Sequence, residues 1–174
     1  MDSAEECCTA PDSVAERLVR LLVDRSLYLA AAESCTGGLA ADAIIRVPGA
    51  SSCFWGSYVC YTPRAKMQML GIGEKQLNEY GLVSRETACA MALGALEKSG
   101  ADIAVSITGI AGPGGSPDAP VGTVWIAAAP GGNKAEGKTA EAAEFHFSGS
   151  RNDVRRQAAR QALIQIMELL EKNN

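Results

Sequence analysis

Apolar positions recur along the chain with two alternating periods, and this patterning predicts an alternation of helices and strands. Val14, Leu18, Leu21 and Leu22 share one face of a helix opened by Pro11-Asp12-Ser13. Ser13 and Glu16 have the spacing of a capping box, and the helix is expected to end near Arg25. An apolar run over residues 27–32 reads as a first strand. A second helix is predicted from Gly37 to Arg46, with Leu39, Ala43 and Ile44 buried, stopping before Pro48-Gly49. Residues 52–62 carry aromatic and β-favouring types and read as one strand interrupted at Gly56 or as two strands with a bend there. Pro63 then starts a short helix that carries Lys66 and closes at Gly71.

The second half continues the alternation. Residues 74–80 predict a helical turn. Ser84 caps a helix with Ala88, Met91, Ala92, Ala95 and Leu96 on its core face and Gly100 beyond its end. A strand over 101–108 has bulky residues on one side and small ones on the other. It runs into a Gly/Pro loop over 109–122. Strands follow near 121–128 and 142–148, joined by a polar excursion over 131–140 that reads as a hairpin connection. Ser150 opens a last helix to about Lys172, with Val154, Ala158, Ala162, Ile166 and Leu169 in a stripe. Strand–helix alternation followed by a late hairpin predicts a single α/β domain. The expected form is a three-layer α/β/α sandwich with a mixed sheet. Residues 1–11 are expected to be disordered, and 12–174 to form the domain.

Composition fits that picture. At 174 residues, with 47% apolar and 21% charged positions, the chain suits one globular core. A net charge of −4 gives no bulk attraction for nucleic acid or an anionic membrane. No apolar run is long enough to span a bilayer, and the acidic start does not resemble a signal peptide. A cytoplasmic location is expected. The six cysteines, Cys7, Cys8, Cys35, Cys53, Cys60 and Cys89, form no C-x-x-C pair. With one histidine, they argue against a structural metal site and against a disulfide framework. No metal and no cofactor is expected.

Candidate chemistry gathers in four stretches. In Ser34-Cys35-Thr36-Gly37-Gly38 a small nucleophile lies between a strand and a helix, with two glycines to turn the backbone. Ser34 there is either a nucleophile or, with Thr36, an ordinary helix cap. N–H groups at the following helix start would face charge developing on a bound carbonyl or phosphate. In the segment from Tyr61 to Lys66, a buried amine could lose its proton and serve a serine as base; a solvated surface lysine is the plainer reading. The loop from Thr108 through Gly109 and Gly112 to Pro117 can hold a polar ligand, but matches neither a P-loop nor a dinucleotide fingerprint. At the start of the last helix, Arg151 and Arg155 share a face and could hold a phosphate. The lone histidine, His146, sits in an alternating run and reads as a polar-face position, so a serine nucleophile would need another base.

Five motifs occur in order: AESCTGG, the segment from Tyr61 through Ala65-Lys66 to Leu70-Gly71, YGLVS, VSITGIAGPGG with PVGTV, and Phe147-x-Gly149-x-Arg151-x-x-Val154-Arg155. Over residues 12–172 the chain resembles the nicotinamide-nucleotide amidohydrolase family, also known as the CinA C-terminal domain. Some relatives carry an additional N-terminal domain, and a stand-alone form is expected here. The resemblance implies hydrolysis of nicotinamide mononucleotide to nicotinate mononucleotide and ammonia by a Ser-Lys amidohydrolase without metal. Carried to matching positions, it implies Ser34 as nucleophile, Lys66 as base and Tyr61 as assisting hydroxyl. It further implies substrate contacts from Cys35, Thr36, Gly37, Gly38, Thr108, Gly109, Gly112, Arg151 and Arg155. Pro63 stands where the family often has asparagine, so no side-chain role is carried to it. A homo-oligomer, a dimer by family analogy, is expected. The alternatives are Cys35 as nucleophile, a different amide substrate, and a non-catalytic nucleotide-binding or competence- and damage-related interaction module.

Overall fold

A computed structural model describes residues 13–116, 119–131 and 139–172. The stretch expected to be disordered, Cys7 and Cys8 within it, and most of the polar link over 132–138 lie outside the described residues.

Helix α1 (Val14–Asp24) starts at the predicted capping box. The Glu16 amide donates to Ser13 Oγ at 3.2 Å, and the Ser13 amide donates to Glu16 Oε2 at 2.9 Å. Strand β1 (Leu29–Glu33) is buried at all five positions, as befits a central strand. It begins later than the apolar run suggests, because Ser26 adopts a positive φ of 54° and turns the chain out of α1. Helix α2 (Leu39–Ile45) follows. It starts two residues after Gly37, since Gly37 and Gly38 both take positive φ and belong to the turn. A 3₁₀ turn (Ala50–Ser52) leads to β2 (Phe54–Val59). The interruption expected at Gly56 is present: pairing steps from Leu29 with Phe54 to Ala30 with Gly56, which leaves Trp55 as the extra residue of a bulge.

The remaining elements are α3 (Pro63–Leu70), α4 (Glu74–Tyr80), α5 (Arg85–Ser99), β3 (Ile103–Gly109), β4 (Thr123–Pro130), β5 (Glu141–His146) and α6 (Arg151–Lys172). The strands form one sheet in the order β2-β1-β3-β4-β5. β1 runs parallel to β2 and β3, while β4 is antiparallel to both β3 and β5. The sheet is therefore mixed, with α1, α2 and α6 on one face and α3, α4 and α5 on the other.

The two faces differ because the strand residues alternate by size. Leu29, Ala31, Ile103, Val105, Ile107, Val124 and Ile126 point to the α1/α2/α6 side. Ala30, Ala32, Ala104, Ala127 and Ala129 point to the α5 side. Small residues there let α5 approach closely, and Ser106 Oγ donates to the Ala88 carbonyl at 2.6 Å. The same economy governs α3 on α5: a Cβ on Gly94 would lie 2.4 Å from the Leu70 carbonyl oxygen. Because backbone rather than a flexible side chain is in the way, Gly94→Ala is expected to destabilise the fold by about 1–3 kcal/mol, read from the urea midpoint.

Candidate active site

Parallel pairing of β2, β1 and β3 puts their C-terminal ends at one edge of the sheet. Ligands in such sheets bind in the crevice beyond those ends. Ser34 directly follows β1, Tyr61 and Lys66 follow β2, and Thr108 to Gly112 close β3. Main-chain bonds stitch the three together. The Ser34 amide donates to the Ile107 carbonyl at 2.9 Å, and the Cys60 amide donates to the Glu33 carbonyl at 2.9 Å.

Ser34 is 9% exposed. Lys66 is 1% exposed, the largest of the fully buried side chains. Thr62 caps α3 through the Ala65 amide and Pro63 occupies its first turn, so the helix carries Lys66 inward. Its Nζ donates to the Cys60 carbonyl at 3.2 Å and reaches Met91 Sδ at 3.5 Å. No carboxylate pairs with it among the described residues. Burial lowers its pKa from 10.5, opposed by the Cys60 and Cys35 thiols. Lys66 in turn acts electrostatically on the Cys35 thiol, pulling its pKa down. Burial nevertheless pushes the Cys35 thiol up to about 11, against the pull of Lys66. A thiol so protected from ionising is a poor nucleophile near neutral pH.

Tyr61 is 58% exposed, and its phenol oxygen accepts from Arg151 Nη2 at 2.8 Å. Arg151 Nη1 also donates to the Gly112 carbonyl, so one guanidinium links α6 with the chain after β2 and the loop after β3. Thr108 is buried and donates to the Leu82 carbonyl at 2.8 Å. Gly109 is pressed against β4, where a Cβ would lie 2.6 Å from Val124 Cγ2. Arg155, expected beside Arg151, turns elsewhere: Nε donates to the Cys35 carbonyl at 3.0 Å and Nη2 to the Thr36 carbonyl at 2.9 Å. His146 stands on β5, three strands from β1, a separation of about 14 Å. Its Nδ1 meets Thr123 Oγ1 at 3.5 Å. The histidine is thus an exposed position on an edge strand, in keeping with the polar-face reading of the alternating run, and stands away from Ser34.

Residues 11–170 match the CinA C-terminal domain family. The chain belongs to this family. A CinA-like protein of Chlorobium limicola is 43% identical over 166 residues, which is 94% of this chain and 38% of that protein. A CinA-like protein of Akkermansia muciniphila is 54% identical over 116 residues, 66% of this chain and 28% of that protein. The chain thus spans less than two-fifths of these curated relatives. Among solved structures, the competence/damage-inducible protein CihA of Agrobacterium tumefaciens has a TM-score of 0.81 at 38% identity, covering 92% of this chain and 98% of its own. A CinA-superfamily competence-damaged protein from Escherichia coli has a TM-score of 0.84 at 33% identity, covering 97% and 99% respectively.

Within this CinA domain one site residue carried no assignment from sequence. Glu33 is fully buried, and its carboxylate accepts from the amides of Gly38 at 2.9 Å, Ala40 at 3.1 Å and Ala41 at 3.0 Å, and from Ser57 Oγ at 3.0 Å. The α2 N-terminus, read from sequence as open to a ligand's charge, is therefore filled by the protein's own anion. The Gly37 amide is used as well, donating to the Ser34 carbonyl at 3.2 Å. The amides of Cys35 and Thr36 have no acceptor elsewhere in the chain among the described residues. Thr36 Oγ1 is likewise buried without a partner. A glutamate closing an otherwise apolar strand was the available signal, since a fully buried carboxylate requires donors. Among the described residues no group of three or more His, Cys, Asp or Glu side chains could hold a metal ion. No described helix is long and apolar enough to cross a membrane.

Two stability measurements check these assignments. Glu33→Gln turns one acceptor into an NH₂ group facing amide donors, and is expected to lower stability by about 1.5–3 kcal/mol in urea unfolding. Lys66 has the opposite sign at neutral pH. Between its lowered pKa and 10.5 the unfolded chain binds more protons than the folded one, so stability rises with pH across that window. Lys66→Met removes the penalty. Its melting temperature is expected to exceed the parent's at pH 7, and the two are expected to converge as pH approaches 10.5.

Proposed function

We propose that this CinA domain is a Ser-Lys amidohydrolase that deamidates nicotinamide mononucleotide. The observation that supports the reading best is Lys66: 1% exposed, with a carbonyl and a thioether as its only hydrogen-bond partners among the described residues. Such an environment favours the neutral amine, and a neutral amine carried on the chain after β2, next to the strand that ends at Ser34, is a candidate general base for it. An ordinary structural lysine would reach water or a carboxylate.

In the proposed cycle Ser34 Oγ attacks the carboxamide carbon while Lys66 Nζ takes its proton. Lys66 returns the proton to the amine nitrogen, the C–N bond breaks and ammonia leaves. Water then attacks the acyl-Ser34 ester, again with Lys66 as base, to give the carboxylate. The unpaired Cys35 and Thr36 amides supply donors for the oxyanion, and the orphan Thr36 hydroxyl provides a further polar contact for the substrate. Arg151 holds the 5′-phosphate, with Tyr61 and Gly112 fixing its guanidinium at the crevice. No cofactor enters this scheme.

Ammonia release from the mononucleotide, the riboside and free nicotinamide, compared side by side, tests the reading. Ser34→Ala and Lys66→Met are expected to lose at least about 10³-fold in kcat, while Cys35→Ser keeps most of it. The acidic limb of the kcat/KM profile should report an apparent pKa below 10.5, because Lys66 must shed its proton first. Arg151→Ala should raise KM for the mononucleotide far more than for the riboside. Tight binding of the mononucleotide with no ammonia released would favour a binding module instead.

A further inference from the structure

We propose that Arg155 is a positioning residue for the oxyanion donor of the Ser34 site rather than a ligand of substrate phosphate. The inference rests on the amidohydrolase reading above and adds how its donor is held.

From Cys35 to Ala41, Glu33 takes the amides of Gly38, Ala40 and Ala41. The Gly37 amide donates to Ser34, and the Leu39 amide approaches the Thr36 carbonyl at 3.4 Å. Among the described residues only the Cys35 and Thr36 amides are left. Of these two, the Thr36 N–H belongs to the peptide that Arg155 holds, so it is the one Arg155 can aim at charge developing next to Ser34.

A trans peptide is planar, so its C=O and N–H point in opposite directions. The Thr36 N–H shares its peptide with the Cys35 carbonyl, and that carbonyl accepts from Arg155 Nε at 3.0 Å. The guanidinium thus grips one end of the unit and aims the other end away from itself. A cation on the carbonyl also polarises the peptide and makes its N–H a stronger donor. The next peptide is held in the same way, with the Thr36 carbonyl 2.9 Å from Nη2. A peptide flip in this turn would break a charge-assisted bond. The turn passes close beneath the guanidinium: a Cβ on Gly37 would stand 3.4 Å from Nη2, at a backbone φ of 61°. Nη1 donates to Asn152 Oδ1 at 3.0 Å, which fixes the guanidinium on α6. Three of its nitrogens are thereby engaged by the protein, unlike a side chain left open for phosphate.

The test compares Arg155→Gln and Arg155→Lys with Arg151→Ala, each checked for folding by its melting curve. Turnover is followed on the mononucleotide and the riboside. Ser34 reactivity is read separately with a fluorophosphonate, where Ser34 Oγ displaces fluoride at phosphorus, and the adduct is quantified by mass spectrometry. For Arg155→Gln, kcat and the labelling rate should both fall about 10²–10³-fold, as for loss of one oxyanion donor. KM should hold, and the mononucleotide-to-riboside ratio of kcat/KM should stay at the parent value. Arg151→Ala should show the converse. Should Arg155→Gln fail to fold, Arg155→Lys, which keeps the charge, carries the same comparison with a smaller loss. Parental labelling by a folded Arg155 variant, or a collapsed mononucleotide-to-riboside ratio with kcat intact, would overturn the proposal. If the parent labels at Ser34 but releases no ammonia, the substrate reading fails while the labelling rates still decide the role of Arg155. If the parent does not label at all, both fall.

Discussion

The Glu33 carboxylate is the interaction on which the site depends. It ends the central strand, fills the N-terminus of α2 and reaches across to Ser57 on β2. A buried carboxylate without donors would be prohibitively costly, so the chain after Ser34 has little freedom in how it turns. It must present several amides to one point within a few residues. Gly37 and Gly38, with φ of 61° and 100°, make that return possible. The same arrangement consumes the helix-start donors that a substrate could otherwise have used.

The sheet supplies the second constraint. Its small-residue face lets α5 lie close, and α5 in turn meets α3 across Gly94. That packing seals Lys66 between Met91 and the Cys60 carbonyl and keeps both water and counter-ions away. Proton affinity at Lys66 is thus set by how tightly two helices and a strand can close around it. The opposite face, with its larger side chains, carries α6, whose N-terminal arginines reach over the strand ends to the loops. At that terminus Asp153 accepts from Ser150 Oγ at 2.5 Å and from Arg156 at 2.6 Å, and these bonds hold its carboxyl at about 2. An anion of the protein's own therefore offsets the arginines against the helix dipole.

Much of this was legible because local rules and tertiary packing agree. Ser13, Ser84, Gly71 and Gly100 mark helix ends where capping chemistry places them. Bulky-small alternation in 101–108 foretold a two-faced strand. The limits were tertiary. No local pattern says that the N–H groups following Gly37 already have an acceptor, since Glu33 looks like any acid before its burial is known. Arg151 and Arg155 are equivalent by spacing. Only the fold, which brings the Ser34 turn under one and Tyr61 under the other, separates them.

In the proposed amidohydrolase reading, the choice between Ser34 and Cys35 rests on the same geometry. A thiol is the stronger nucleophile once ionised, and Lys66 is near enough to help ionise it. Yet the burial that lowers the Lys66 pKa also penalises a thiolate, and burial dominates, leaving the thiol at about 11. A neutral amine cannot stabilise an anion as an ammonium would. It can accept a proton during attack, which suits a hydroxyl that never ionises beforehand. In the proposed cycle, a dry pocket that favours a neutral base suits the serine better than the cysteine beside it, and the charge formed on attack must be met by amide donors already in place.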